Sequence, residues 1–216
     1  MLKRLWLIFG PIFIAGFLVL LLIFFYPSTT SHNLTEEKYS AASVSTESFK
    51  ERSQKVRALT DPNMRFIPFL GSSEWVRFDS MHPAVLAEKY NRPYRPYFLG
   101  QAGATSLIHY FGLQQILPEI ENKQAIFVIS PQWFTKTDSD SAAFQSFFNS
   151  DQLTAFLENQ PGDTATQHAA TRLLKQNPSV ALKGILQKLS KGEDLSDADR
   201  LITNLFARFN EKQSSL

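Results

Sequence analysis

The 216-residue chain contains no cysteine. Disulfide scaffolds, thiolate metal sites, cysteine nucleophiles and cysteine-linked lipid anchors are excluded together. A dominant charge of one sign is missing too: 22 Lys and Arg stand against 20 Asp and Glu, a net charge of +2. Electrostatic nucleic-acid binding usually needs a larger, clustered basic excess, so no nucleic-acid partner is expected. The four histidines, His32, His82, His109 and His168, have no metal-ligand spacing to one another or to a carboxylate pair. No metal and no other cofactor is expected. Apolar residues are plentiful: 44% of the chain is hydrophobic, 13% aromatic, and 19 residues are Phe. That is enough for one buried core with an accessory segment.

The accessory segment is Leu5–Tyr26, LWLIFGPIFIAGFLVLLLIFFY, which holds no charged residue. As a helix it would run roughly 33 Å, against a bilayer core of ~30 Å. Lys3 and Arg4 precede it, and the first charges beyond it are Glu36 and Glu37. The positive-inside bias then leaves residues 1–4 in the cytoplasm and exports everything after Tyr26. A cleaved signal peptide is the competing reading, but the run is long for one, and Phe24-Phe25-Tyr26-Pro27 is a poor cleavage context. The expectation is a single-pass transmembrane anchor at 5–26 with an extracellular domain.

Residues 27–45, rich in Ser and Thr, read as a tether. A solvated helix is expected from Thr46, as N-cap, to Leu59. Arg65–Leu70 reads as a buried strand that Pro68 makes an edge or bent one. His82–Asn91 reads as a helix with Pro83 in its first turn. Pro96–Leu99 is a second strand, Thr105–Leu117 a helix, and Gln124–Ser130, QAIFVIS, a strand covered on both faces. Strand alternating with helix implies a parallel three-layer α/β sheet, placed at 46–135. Residues 136–216 change character: Ser141–Glu158, Asp163–Gln176, Ser179–Leu189 and Ser196–Asn210 all read as helices. Three strands are few for a doubly wound domain, so the sheet is expected to be the front part of a larger one.

Function in such sheets gathers at the carboxyl ends of the strands. Leu70-Gly71-Ser72-Ser73-Glu74-Trp75 follows the first strand, Leu99-Gly100-Gln101-Ala102-Gly103 the second, and Ser130-Pro131-Gln132-Trp133-Phe134 the third. A serine on a Gly-containing turn exposes its hydroxyl. Backbone N–H groups of neighbouring loops and a side-chain amide supply donors for an oxyanion. Taken singly, each of these segments is also compatible with an ordinary turn or helix entry.

The three blocks in this order, FLGSSEW (Phe69–Trp75), FLGQAGATS (Phe98–Ser106) and ISPQWF (Ile129–Phe134), resemble the SGNH (GDSL-like) hydrolase superfamily. Within it they closely resemble the DltD family of D-alanyl lipoteichoic acid biosynthesis proteins. The resemblance implies an SGNH-like (flavodoxin-like) fold, present in part, with residues 136–216 as an insertion in or continuation of the domain. It implies Ser73 as nucleophile, with Ser72 where the superfamily has Asp. Gly100 and Gln132 then form the oxyanion hole, Gln132 standing where the superfamily has Asn. Glu74 is a candidate contact for a cationic amine such as that of D-alanine, and Trp133, with Trp75 and Phe134, a candidate wall of an acyl pocket.

The implied activity is D-alanyl transfer, or cleavage of a thioester or ester, in teichoic acid D-alanylation. The implied partners are the membrane, teichoic acid or a D-alanyl donor, and a D-alanyl carrier protein or membrane acyltransferase. The superfamily's basic Asp-x-x-His block has no counterpart after Phe134, where His168 is the only histidine. A non-catalytic, membrane-anchored scaffold for an acyl carrier is therefore the alternative. Asp79-Ser80-Met81-His82 imitates the missing block, but reads as a helix start with Asp79 or Ser80 as N-cap. His109, between apolar neighbours, reads as a packing histidine.

Overall fold

The computed structural model describes residues 2–25, 49–77, 79–134, 141–159 and 162–214, without the side chains of residues 2–5, 7–8, 22–24, 132, 141 and 212–214. The tether, His32 and the expected cap Thr46 lie outside the described residues. The chain is α/β, with a small parallel sheet and many helices. Its helices are α1 Leu2–Phe25, α2 Arg52–Thr60, α3 Pro83–Lys89, α4 Ser106–Gln114 and the short α5 Leu117–Ile120. They continue with α6 Ser141–Phe147, α7 Ser150–Asn159, α8 Thr164–Gln176, α9 Lys183–Ser190 and α10 Asp197–Ser214. The strands are β1 Phe66–Gly71, β2 Arg95–Gly100 and β3 Ile126–Phe127, in the order β2-β1-β3.

β1 pairs with β2 in parallel from Phe66↔Arg95 to Gly71↔Gly100, and with β3 at Phe69↔Ile126 and Leu70↔Phe127. It is thus the central strand, which overturns the edge placement, one of the two alternatives, edge or bent, that Pro68 suggested. The hydrogen bonds explain how proline is accommodated. Val128 N–H donates to the Leu70 carbonyl and Arg95 N–H to the Arg65 carbonyl, so even-numbered residues of β1 face β3 and odd-numbered ones face β2. The missing donor of Pro68 points to the β3 side, one residue before that ladder begins. On β2 the missing donor of Pro96 falls, by the same alternation, on the open edge.

Alternation also divides the core. Phe66, Leu70, Tyr97 and Leu99 join the larger cluster with Ile108, Phe111, Phe156, Leu173 and Leu186 from the helices. Ile67, Phe69 and Phe98 form a smaller cluster on the opposite face, closed by Trp75. Burying a side chain such as Phe98 or Leu186 contributes about 1.5–3 kcal/mol, so both faces help fix the strand ends.

Three other expectations change. β3 is short, and Ile126 and Phe127 are 43% and 44% exposed: no described element covers this strand on both faces. The helix expected over Ser141–Glu158 breaks before Asn149, where a reciprocal cap forms between Asn149 and Gln152. Asn149 N–H donates to Gln152 Oε1 (3.1 Å), and Gln152 N–H to Asn149 Oδ1 (2.9 Å), which starts α7 afresh. α2 is not merely solvated, because Lys55 is buried and bonds Gln115 Oε1; burial lowers its pKa to about 7.

α1 is a continuous 24-residue helix with Pro11 inside it, about 36 Å long. Among the residues whose side chains are described, no helix is long and apolar enough to cross a membrane. In α1 the longest such stretch is Phe9–Leu21.

Candidate active site

Pairing of Gly71 with Gly100 brings the ends of β1 and β2 side by side. Pairing of Leu70 with Phe127 puts the end of β3 level with them. β1 and β2 lead at once into tight segments, and β3 reaches one after three further residues. β1 enters a 3-10 turn, Ser73–Val76. β2 enters the Gln101–Thr105 loop, where Gly103 adopts φ +89°, a conformation that favours glycine. The β3 segment enters a second 3-10 turn, Pro131–Phe134.

Ser73 opens its turn and is exposed. Ser72 is half-buried; its hydroxyl donates to the Gln101 carbonyl (3.2 Å), which ties the first loop to the second. Glu74 accepts the Ser72 backbone N–H at 2.6 Å, so the carboxylate braces the turn from within. Gly100 is buried between these loops. A methyl group there would lie 2.8 Å from the Gly71 carbonyl carbon, and only glycine fits without moving a neighbouring strand. Gln132 belongs to the third segment by its backbone position, while its side chain lies outside the described residues. Trp133 is half-buried, its ring 5.6 Å from that of Phe127. Phe134 is 77% exposed. Trp75 is buried instead against Phe69 and Phe98, with ring centroids 5.6 Å from each. Its indole N–H has no hydrogen-bond partner.

The histidines near these loops are both committed to the backbone. His82 is itself the N-cap of α3: its Nδ1 accepts the Ala84 N–H (3.3 Å), and its Nε2 lies 3.2 Å from the Trp75 carbonyl. A carbonyl only accepts, so the proton sits on Nε2 and Nδ1 is left to cap. This corrects the assignment of the cap to Asp79 or Ser80. Asp79 instead accepts the Met81 N–H at 2.8 Å, one turn earlier. His109, on α4, is 1% exposed and places Nε2 2.6 Å from the Gly71 carbonyl oxygen. Burial, with a minor contribution from Lys55, lowers its pKa to about 4 against the opposing pull of the Gly71 bond. It is therefore neutral at pH 7.

His168 is exposed on α8, and Asp163 caps that helix by accepting Thr166 N–H at 2.7 Å; they form no pair. No group of three or more metal-ligating side chains occurs among the described residues.

The sequence reading did not foresee the bond from His109 to Gly71 or that from Ser72 to Glu74. The signal for the first was a polar ring on the apolar face of a helix, which must find a partner when buried. Sequence alone does not name that partner.

Residues 41–216 match the family described as DltD protein. Protein DltD of Lacticaseibacillus rhamnosus is 35% identical over 234 aligned positions, covering 98% of this chain and 54% of the relative. Protein DltD of Bacillus subtilis is 29% identical, with 85% and 47% covered. Protein DltD of Staphylococcus aureus is 28% identical, with 59% and 32% covered. The chain thus spans about half the length, or less, of these relatives. On the family match and the identity to the L. rhamnosus protein, the chain belongs to the DltD family.

Proposed function

We propose that the protein is a membrane-anchored, extracellular participant in the D-alanylation of teichoic acids, with an SGNH-like domain that performs acyl transfer through Ser73. The observation that supports this reading is the registry of β1 with β2 and β3, Gly71 against Gly100 and Leu70 against Phe127, at or just beyond whose ends the exposed Ser73, Gly100 and the Gln132 segment follow in the chain. In the proposed step the Ser73 oxygen attacks a D-alanyl carbonyl. The bond to a thiol or alcohol leaving group breaks as the Ser73–acyl ester forms. The serine proton passes to a base outside the described residues and on to the leaving group. The N–H groups of Gly100 and Ser73 and the Gln132 amide would hold the tetrahedral oxyanion. A glycerol hydroxyl of the polymer, or water, then takes the acyl group. Trp133 offers an apolar wall for the donor, and Glu74 a carboxylate near the amine. A D-alanyl carrier protein or a membrane acyltransferase is the fitting partner.

The anchor is proposed on the uncharged run Leu5–Tyr26 and on the lipid-compatible surface of α1, where Phe13 and Phe17 are exposed. Lys3 and Arg4 then hold the N-terminus in the cytoplasm.

A second reading is favoured by one observation: the ring nitrogens of His82 are both used by backbone groups, and His109 is buried on Gly71. A protein of this kind without a free base would act as a scaffold for an acyl carrier. Labelling of the full-length protein with a serine-reactive phosphonate separates the two. Labelling that disappears in Ser73→Ala supports transfer; absence of labelling in a folded wild type supports the scaffold. Gln132→Ala should lower D-alanine incorporation by ~10²–10³, the usual cost of one oxyanion donor. Unchanged incorporation would remove Gln132 from the site.

A further inference from the structure

We infer that His109 and Glu74 are paired positioning residues that clamp the peptide unit between Gly71 and Ser72 from its two ends, and thereby set the orientation of Ser73. The inference rests on the reading of Ser73 as nucleophile.

That peptide unit lies one residue ahead of the peptide bond to Ser73, and both of its polar groups are held by side chains. Its carbonyl oxygen accepts the His109 Nε2–H at 2.6 Å, and its N–H donates to Glu74 Oε1 at 2.6 Å. Two short bonds on opposite ends of one planar group remove its freedom to rotate about the strand axis.

His109 also reaches the other two loops. It is carried on α4, the helix that the second loop leads into. Its ring lies 5.5 Å from that of Trp133, the residue after Gln132, and 5.4 Å from that of Phe127 on β3. One buried side chain therefore links all three strand ends. A base at this position would need an unhindered ring nitrogen near Ser73; what the geometry offers is a fixed N–H donor to the backbone.

The clamp predicts rate effects that differ from those of lost folding. In the full-length protein, His109→Phe keeps a ring against Trp133 but removes the donor. It should slow phosphonate labelling of Ser73 by about 10–100-fold per folded molecule, a rise of about 1.4–2.7 kcal/mol in the barrier. His109→Gln, which restores an N–H donor, should recover part of that loss. Glu74→Ala should also slow labelling, and Glu74→Gln, whose amide oxygen still accepts the Ser72 N–H, should recover part of that loss. If His109→Phe does not fold, the half-buried Glu74 pair decides the matter. Wild-type labelling rates in His109→Phe, or equal rates in the two Glu74 variants, overturn the clamp while leaving Ser73 as nucleophile. A folded wild type that does not label overturns the nucleophile, and the clamp with it.

Discussion

Gly100 and Gly71 face each other across the parallel ladder of β1 and β2, close enough that a methyl group on Gly100 would lie 2.9 Å from the Gly71 carbonyl oxygen. That oxygen is the one His109 holds. The obstacles are the buried Trp75 ring and backbone in a central strand, neither of them a flexible side-chain tip. Gly100→Ala should therefore destabilise the protein by about 1–3 kcal/mol, the usual cost of overpacking. The melting temperature should fall by several degrees, and phosphonate labelling of the folded fraction should slow as well. A variant that melts with the wild type would show that the loops part freely.

The His82 ring closes the start of α3 and reaches back to the Trp75 carbonyl. Removing it takes away a helix cap and leaves a buried acceptor unpaired. His82→Ala should cost about 1–3 kcal/mol by denaturant titration, with Ser73 labelling per folded molecule unchanged. If labelling were lost while stability held, His82 would belong to the chemistry rather than to the fold.

These cases show which features sequence reasoning reaches. Helix starts marked by a side-chain oxygen, such as Asp163, follow from local chemistry, and the helix of Asp163 begins where expected. The strand Arg65–Leu70 was legible as apolar and buried, yet its central place was not. Pro68 argues for an edge until the ladder is known to start one residue later on the β3 side. His82 as a cap is equally hidden, because an imidazole caps only when its other nitrogen finds a donor's partner, here Trp75, seven residues back. The candidate site divides the same way. The Gly-Ser-Ser turn and the glycine of the second loop stand out in the sequence. The bond from His109 to Gly71 joins residues 38 apart, and no local pattern encodes it.

The neutral, buried state of His109 gives stability a defined pH dependence. Its pKa is about 4 in the fold, below the ordinary 6.5. Between those values the unfolded chain binds a proton that the folded chain does not, so stability falls as pH drops from about 6.5 to 4 and levels off below. This group supplies at most about 3 kcal/mol of that loss. Urea midpoints for wild type and His109→Gln should converge as pH falls through this window. Parallel curves would mean that His109 takes up its proton without leaving Gly71.

Adjacent serines make the identity of the nucleophile a separate question. The Ser72 hydroxyl is spent on the Gln101 carbonyl at 3.2 Å, and its residue is half-buried. Ser73 is exposed at the start of its turn. Ser72→Ala should lose one hydrogen bond, about 0.5–1.5 kcal/mol of stability, and should still label with a phosphonate within a few-fold of the wild-type rate. Ser73→Ala should change stability little and abolish labelling. Peptide mapping of the adduct settles the assignment: modification on Ser72 in the wild type, with labelling surviving in Ser73→Ala, would transfer the role by one residue. It would also require the bond to Gln101 to open before reaction, so that the link between the first two loops would act as a gate instead of a brace.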